Sequence, residues 1–243
     1  RHILNHVCAR GCFVLKKHIM ELLMGCLLLL CFYCLSRKAA AVSARLDQKK
    51  IIVVDCGHGG IDPGMIGIHG IKEKEFNLAI GLKVKTALEN LGFQVIMTRD
   101  TDTGLYDEDS RNKKAQDMQK RILLIQEVNP VLTVSIHQNS YEDSAVKGPQ
   151  VFYYRDSLQG EKLAKLIQEK LNEYLEVERP REIKGNTSYY LLKRSKGVVN
   201  IVECGFLTNP EEAALLANEN YQEKVAQAIA DGVQEYIEKN QNL

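Results

Sequence analysis

Three short polar strings contain the side chains of this sequence that are best suited to hydrolytic chemistry. Each follows an apolar run, and they span residues 55–60, 135–139 and 203–206. They bring two imidazoles, His58 and His137, and one carboxylate, Glu203, while a second carboxylate, Glu73, stands where a helix is predicted to begin. Two imidazoles and one carboxylate form a common ligand set for catalytic zinc, with the fourth position left to water. A carboxylate outside that set can take a proton from the water.

Each of these residues also has a simpler explanation when it is taken alone. A histidine at a strand end is most often a hydrogen-bonded structural residue, and the third histidine of this region, His69, keeps that explanation. Glu73 alone would be favoured by the positive end of a helix dipole. Glu203 differs, because it follows the apolar run 198–202 and should be nearly buried, where a carboxylate without a partner is costly. The sequence contains neither a Gly-x-Ser-x-Gly nor a His-Glu-x-x-His motif.

The hydrophobic pattern predicts the elements that would bring these side chains together. Buried strands are predicted over 51–54, 93–97, 131–137, 150–154, 189–192 and 198–202. Amphipathic helices are predicted over 76–91, 118–128, 163–171 and 225–237, with another starting at Pro210. This alternation predicts one α/β domain with a twisted, mostly parallel sheet of about six strands flanked by helices. Residues beyond the carboxyl ends of such strands meet at one edge, so the two histidines and Glu203 should converge.

The first 44 residues differ from the rest of the chain in charge and cysteine content. They contain six of the 32 Lys and Arg residues, one of the 31 acidic residues and five of the seven cysteines. An uncharged run, 22–35, lies between two basic pairs, as in an export signal or a short membrane anchor. We therefore predict such a leader over 1–44 and a folded domain over 45–243. The domain has 26 basic and 30 acidic residues, which excludes a nucleic-acid binder.

Four strings of this sequence, taken in order, resemble a known enzyme family. They are 55–64, 72–74, 135–139 and 203–209, which read DCGHGGIDPG, KEK, SIHQN and ECGFLTN. With their spacing they are similar to the zinc-dependent N-acetylmuramoyl-L-alanine amidases of the amidase-3 family. The resemblance implies that His58, Glu73 and His137 bind Zn²⁺ and that Glu203 is the catalytic glutamate. It makes residues 45–243 the zinc amidase catalytic domain.

The resemblance also implies a substrate, a location and a partner. Zinc-activated water would hydrolyse the amide bond between N-acetylmuramic acid and L-alanine in peptidoglycan, outside the cytoplasmic membrane. The leader and the loop 98–121, closed by Arg121, are similar to those of the sporulation, or germination-specific, amidases, which prepare spore cortex for muramic-lactam formation. That subgroup implies action in the space between the forespore membranes and, in some bacteria, a lipoprotein partner that promotes zinc retention. An uncleaved leader would attach the enzyme to the membrane.

Other functions are compatible with the same residues. A zinc-dependent peptidoglycan deacetylase would use similar chemistry but would release acetate instead of stem peptides. A catalytically silent module that binds glycan or activates another protein would need neither a full ligand set nor Glu203.

The cysteines also leave two alternatives open. Cys56, where the family usually has Pro or Ala, and Cys204, beside the glutamate, are either small buried fillers or a pair that forms a disulfide or binds metal.

Overall fold

The computed structural model describes residues 24–34 and 50–240 of the chain. The chain divides into two units, Arg1–Lys49 and Lys50–Leu243. In the first unit, residues 24–34 form an exposed helix, α1. The rest of the predicted leader, including its end at residue 44, lies outside the described residues. Within the part that the structure describes, no helix is both long and apolar enough to cross a bilayer.

The second unit is built on a six-stranded sheet. The strands are β1 (Ile51–Cys56), β2 (Gln94–Met97), β3 (Leu132–Asn139), β4 (Gln150–Tyr154), β5 (Lys184–Asn186) and β6 (Val199–Phe206). Their order across the sheet is β2-β1-β3-β6-β4-β5. The first four strands in this order are parallel to one another, whereas β4 runs antiparallel to β6 and parallel to β5. The predicted α/β class and mostly parallel sheet are therefore confirmed.

Helices cover both faces of this sheet. They are α2 (Glu73–Asn90), α3 (Lys113–Val128), α4 (Leu158–Tyr174), α5 (Tyr190–Arg194), α6 (Pro210–Leu216) and α7 (Glu219–Lys239). Successive residues of a strand point to opposite faces. Accordingly, Ile52 and Val54 pack in a large apolar cluster with α2, α4 and α7, while Val53 packs in a smaller one with α3 and α5. The edge of the sheet that carries the predicted site residues is thus held between two apolar layers.

One predicted strand is wrong, and one strand was missed. Residues 189–192 do not form a strand but begin helix α5, and the edge strand at this place is β5. The side chain of Asn186 accepts hydrogen bonds from the backbone N–H groups of Ser188 and Tyr189, which ends the strand and turns the chain. Leu191 and Leu192 both pack into the same apolar cluster, which consecutive residues of a strand would not do.

The two cysteines of the folded unit are buried and free, so the hypothesis that they pair is wrong. Strands β1 and β6 both pair with β3 and are therefore about 10 Å apart. A disulfide requires Cα atoms within about 7 Å. The Sγ of Cys56 instead faces α2, where a Cβ on Gly81 would overlap it. Helix α2 thus lies close against β1. Burial also raises the pKa of the Cys56 thiol to about 12.

Candidate metal centre and active site

The carboxyl ends of three neighbouring strands carry the predicted site residues to one place. His58 lies just beyond β1, His137 lies in β3, and Glu203 of β6 is its cross-strand neighbour. Glu73 joins them from the first turn of α2. All four side chains line one cavity of about 360 Å³. The convergence expected from the strand ends is therefore present.

Three of these side chains form a cluster that can hold a metal ion. The nearest nitrogen and oxygen atoms of His58, Glu73 and His137 all lie within 4.8 Å of one another. His58 Nε2 is 3.1 Å from Glu73 Oε2, and His137 Nδ1 is 3.0 Å from Glu73 Oε1. His69 is exposed in the turn Ile68–Gly70 and does not belong to the cluster.

The surroundings of the cluster fit a zinc ion. Two imidazoles and one carboxylate are donors that zinc prefers. A Cβ on Gly57 would overlap the ring of His137, and a Cβ on Gly64 would overlap both His58 and the Glu73 carboxylate, so glycine is needed at both positions. The Oε2 atom of Glu203 is buried and has no hydrogen-bond partner among the described residues. Because such an oxygen is costly to bury, a further group is expected beside it.

A shell of polar groups that sequence reasoning missed orients the cluster. His58 Nδ1 lies 2.7 Å from Asp62 Oδ2, which leaves Nε2 to face Glu73. Glu73 Oε1 accepts hydrogen bonds from Asn77 Nδ2 and from the backbone N–H of Gln138. Partners of this kind fix the orientation of metal ligands. Asn77 could have been found, because it follows Glu73 by four residues and so lies on the same helix face. Asp62 stands inside a motif string, but its spacing gave no sign of this contact.

Burial and nearby charge give the two site carboxylates, Glu73 and Glu203, different pKa values. Burial alone would raise the pKa of Glu73, but hydrogen bonds and charge from His137 and His58 hold that pKa well below its usual range. Burial would lower the pKa of His137, but Glu73 raises it to about 9. Burial raises the pKa of Glu203 to about 7, because the nearby histidines offset it only in part. Glu73 thus suits a ligand and Glu203 suits a proton acceptor near neutral pH.

Arg121 forms ion pairs with Asp55 and Asp117, and all three residues line the same cavity as the metal cluster. The guanidinium of Arg121 donates from Nη1 to Asp55 Oδ1 at 2.7 Å and from Nε to Asp117 Oδ2 at 2.6 Å. Asp55 also accepts hydrogen bonds from the hydroxyls of Ser135 and Thr98. Burial would raise the pKa of Asp55, but Arg121 and Ser135 lower it to about 2. Arg121, expected to close a loop, is in fact a buried residue within α3.

We expect Asp55→Asn to lower the free energy of unfolding at pH 7 by about 3 kcal/mol, because the substitution removes one of the two carboxylates that pair with the buried guanidinium of Arg121 and leaves only Asp117. The pKa of Asp55 falls from 3.8 to about 2 on folding. Its stabilising contribution is therefore present above the unfolded value and is lost as the pH falls through about 2. Urea denaturation of both proteins between pH 7 and pH 2 should show their difference shrinking in acid, with exposed Asp156→Asn as control. A difference that stays constant with pH would contradict this explanation.

The fold and site together define the class of protein. An α/β domain with a His-Glu-His cluster at the carboxyl edge of its sheet, and a buried glutamate beside it, has the architecture of a hydrolase with a metal site. The family model described as Amidase_3, N-acetylmuramoyl-L-alanine amidase, matches residues 52–235. The chain belongs to this family and is an N-acetylmuramoyl-L-alanine amidase.

Individual relatives agree with this assignment. The germination-specific N-acetylmuramoyl-L-alanine amidase of Bacillus subtilis is 38% identical over 191 residues, which are 77% of this chain and 80% of that protein. The structure of the CwlD amidase from Clostridioides difficile, solved in complex with the GerS lipoprotein, is 40% identical with a TM-score of 0.77, and the match covers 79% of this chain and 100% of that one. The AmiC2 amidase of Nostoc punctiforme is 32% identical with a TM-score of 0.69, over 78% of this chain and 97% of that one.

Proposed function

We propose that the chain uses zinc to hydrolyse the amide bond between the lactyl group of N-acetylmuramic acid and the L-alanine of the stem peptide. His58, Glu73 and His137 would hold the zinc, and Glu203 would be the catalytic glutamate. One observation carries the proposal: three zinc-type ligands meet within 4.8 Å at the sheet edge, next to a buried carboxylate oxygen of Glu203 that lacks a partner among the described residues.

The residues of the chain have distinct parts in this reaction. Zinc supplies Lewis acidity, which makes water a nucleophile near neutral pH and polarises the amide carbonyl. Glu203 takes the proton of the attacking water and returns it to the departing amine, which an amide needs because its nitrogen is a poor leaving group. Burial raises the pKa of this carboxyl to about 7 in the metal-free protein, above the usual range of a glutamate. Asp62 and Asn77 hold His58 and Glu73 in their orientations.

We assign the enzyme to spore-cortex peptidoglycan. The support is its likeness to the Bacillus subtilis protein, whose name states a germination-specific amidase, and to the Clostridioides difficile amidase CwlD. The CwlD structure contains the GerS lipoprotein, so a lipoprotein partner that promotes zinc retention is part of this proposal. Action on peptidoglycan places the catalytic unit outside the cytoplasm, which the basic and apolar pattern of residues 1–44 would achieve by export or anchoring.

The reaction is tested by incubating the purified chain, stripped of metal and then supplied with zinc or not, with muropeptides that carry intact stems. Mass spectrometry should show free stem peptides and peptide-free glycan in the zinc sample alone. Release of acetate with the peptide still attached would identify a deacetylase and overturn the proposed bond. Binding to muropeptides with no covalent change, under conditions where zinc is bound, would identify a silent module. The complete ligand set and Glu203 favour the amidase over this last alternative.

A further inference from the structure

The backbone that carries His58 has a conformation that needs support. His58 has a φ of 62°, in the left-handed region that residues other than glycine rarely adopt. Its imidazole is nonetheless part of the metal cluster, so the direction of the ring depends on this backbone. The backbone N–H of Gly57 still bonds to β3, but the chain then leaves the sheet. The carbonyl groups of residues 56–58 must therefore find partners elsewhere.

Two buried arginines provide most of those partners. The carbonyl oxygen of Cys56 accepts hydrogen bonds from Arg99 Nε at 3.0 Å and from Arg121 Nη1 at 2.7 Å. The carbonyl oxygen of Gly57 accepts from Arg99 Nη2 at 3.1 Å and also from the Asn77 amide. The carbonyl oxygen of His58 accepts from Arg121 Nη2 at 2.6 Å. Three successive carbonyls are thus held by two guanidinium groups, and the first carbonyl is shared between them.

Arg99 is a buried cation with no carboxylate partner in the described part of the chain, and burying it in this way costs free energy. The residue is 4% exposed, and its other two hydrogen bonds go to the carbonyl oxygens of Lys74 and Thr101. None of the ion pairs found among the described residues joins Arg99 to a carboxylate. A buried guanidinium gains less electrostatic stabilisation from neutral carbonyls than from a carboxylate. What the guanidinium offers in return is a rigid set of donors, which fixes several acceptors relative to one another.

The two arginines reach the turn from different elements. Arg99 follows β2 by two residues, and Arg121 lies in the middle of α3. Arg121 is itself fixed by its ion pairs with Asp55 and Asp117. Arg99 also joins the turn to the first residues of α2 through the carbonyl of Lys74, next to Glu73. The turn, the helix that supplies the second ligand and the rest of the sheet are thereby connected.

We propose, on the basis of the zinc site proposed above, that Arg99 and Arg121 are positioning residues for the metal centre. They hold the carbonyls of Cys56, Gly57 and His58 so that the left-handed turn persists and the His58 imidazole points at Glu73. Neither guanidinium is part of the ligand cluster itself. Their contribution is to the affinity for zinc, through the backbone of one ligand.

The test is the zinc affinity of Arg121→Lys and Arg99→Lys in the full chain, measured by competition with a chromophoric chelator. A lysine keeps the positive charge but has a single ammonium group. In place of Arg121, that group cannot hold the carbonyls of residues 56 and 58 while pairing with Asp55. In place of Arg99, it cannot span the carbonyls of residues 56, 57 and 74. We expect each variant to bind zinc about 10- to 100-fold more weakly than the wild type, the range seen when groups behind a metal ligand are removed. Arg99→Lys leaves no carboxylate unpaired, so we expect it to fold even where Arg121→Lys does not.

A matched variant separates positioning from loss of stability. Gln168, on α4, is 4% exposed and bridges the backbone of Pro149 and Val151, so Gln168→Ala should also lower the melting temperature. Its zinc affinity should remain that of the wild type. Melting temperatures of all variants are measured without zinc, so that affinity is compared at similar stability. If Gln168→Ala lost zinc affinity as the arginine variants do, their effect would be one of stability and the positioning role would be overturned.

The results also separate this inference from the proposed function. Wild-type protein that binds zinc, with Arg99→Lys binding it equally well, would overturn the positioning role and leave the amidase mechanism intact. Wild-type protein that binds no zinc would overturn both, since no metal centre would then exist to be positioned. Weaker zinc binding by Arg99→Lys, at a melting temperature no lower than that of Gln168→Ala, would support the positioning role.

Discussion

Glu203→Gln is expected to lower the rate of amide hydrolysis by about 10²- to 10⁴-fold, the range that general acid–base catalysis contributes. The substitution keeps the size of the side chain but removes the group that accepts the proton of the attacking water. Zinc content should stay at the wild-type level, because Glu203 is outside the His-Glu-His cluster. Product formation from muropeptides and zinc content by elemental analysis, measured on the same preparation, check both parts. Wild-type activity in this variant would exclude Glu203 as the catalytic base.

Another buried glutamate provides a matched control for this result. Glu212 is 6% exposed and accepts hydrogen bonds from the backbone N–H groups of Gly148 and Phe206. It therefore ties the end of β6 to the loop before β4 without touching the metal cluster. Glu212→Gln loses one of these bonds, so its melting temperature should fall while its activity stays close to that of the wild type. An equal loss of activity in both variants would mean that Glu203→Gln acts through stability.

His58→Ala is expected to remove both the metal and the activity. The substitution leaves one imidazole and one carboxylate, and two protein ligands do not retain zinc in a site that normally uses three. Elemental analysis of wild type and variant, loaded with zinc and dialysed in parallel, should show near-zero zinc in the variant alone, with hydrolysis falling to the background of the metal-free protein. A variant that kept its zinc would show that the ligands lie elsewhere.

The third histidine of the folded unit provides the control for that experiment. His69 is exposed and lies outside the cluster, in the turn just before α2. Its φ of 59° is left-handed, so His69→Asn is the conservative choice, since Asn tolerates this conformation well. The variant should keep both zinc and activity at the wild-type level. Loss of zinc from it would show that histidine number, and not the position of His58, governs metal uptake.

The sheet could be predicted from the sequence because its inner strands are buried on both faces. Runs such as Ile51–Val54 are continuously apolar, and that pattern marks a parallel strand whatever its neighbours are. The short edge strand β5, Lys184–Asn186, has no such pattern, since it reads Lys-Gly-Asn. Helix α5 was also missed, because its five residues are too few to show a helical period. Short elements at the edge depend on tertiary contacts that sequence does not display.

The site was predictable where it depends on strand ends and unpredictable where it depends on long-range contacts. His58, His137 and Glu203 converge because parallel strands deliver their carboxyl ends to one edge. Their roles as ligands and base stay predictions that the experiments above test. The contacts of Arg99 and Arg121 with the turn at 56–58 span more than 40 residues of sequence, and no spacing rule links them. The groups that orient the cluster therefore became visible only in the structure.

The close approach of α2 to β1 has a consequence for related sequences. The Sγ of Cys56 occupies the space that a side chain at position 81 would need. The two positions therefore share one fixed volume, and a change at either one limits what the other can be. Among homologues, glycine is expected at 81 wherever position 56 is as large as cysteine, whereas alanine at 56 leaves room for alanine at 81. Because Glu73 starts the same helix, the fit between positions 56 and 81 also bears on where this ligand lies relative to the sheet.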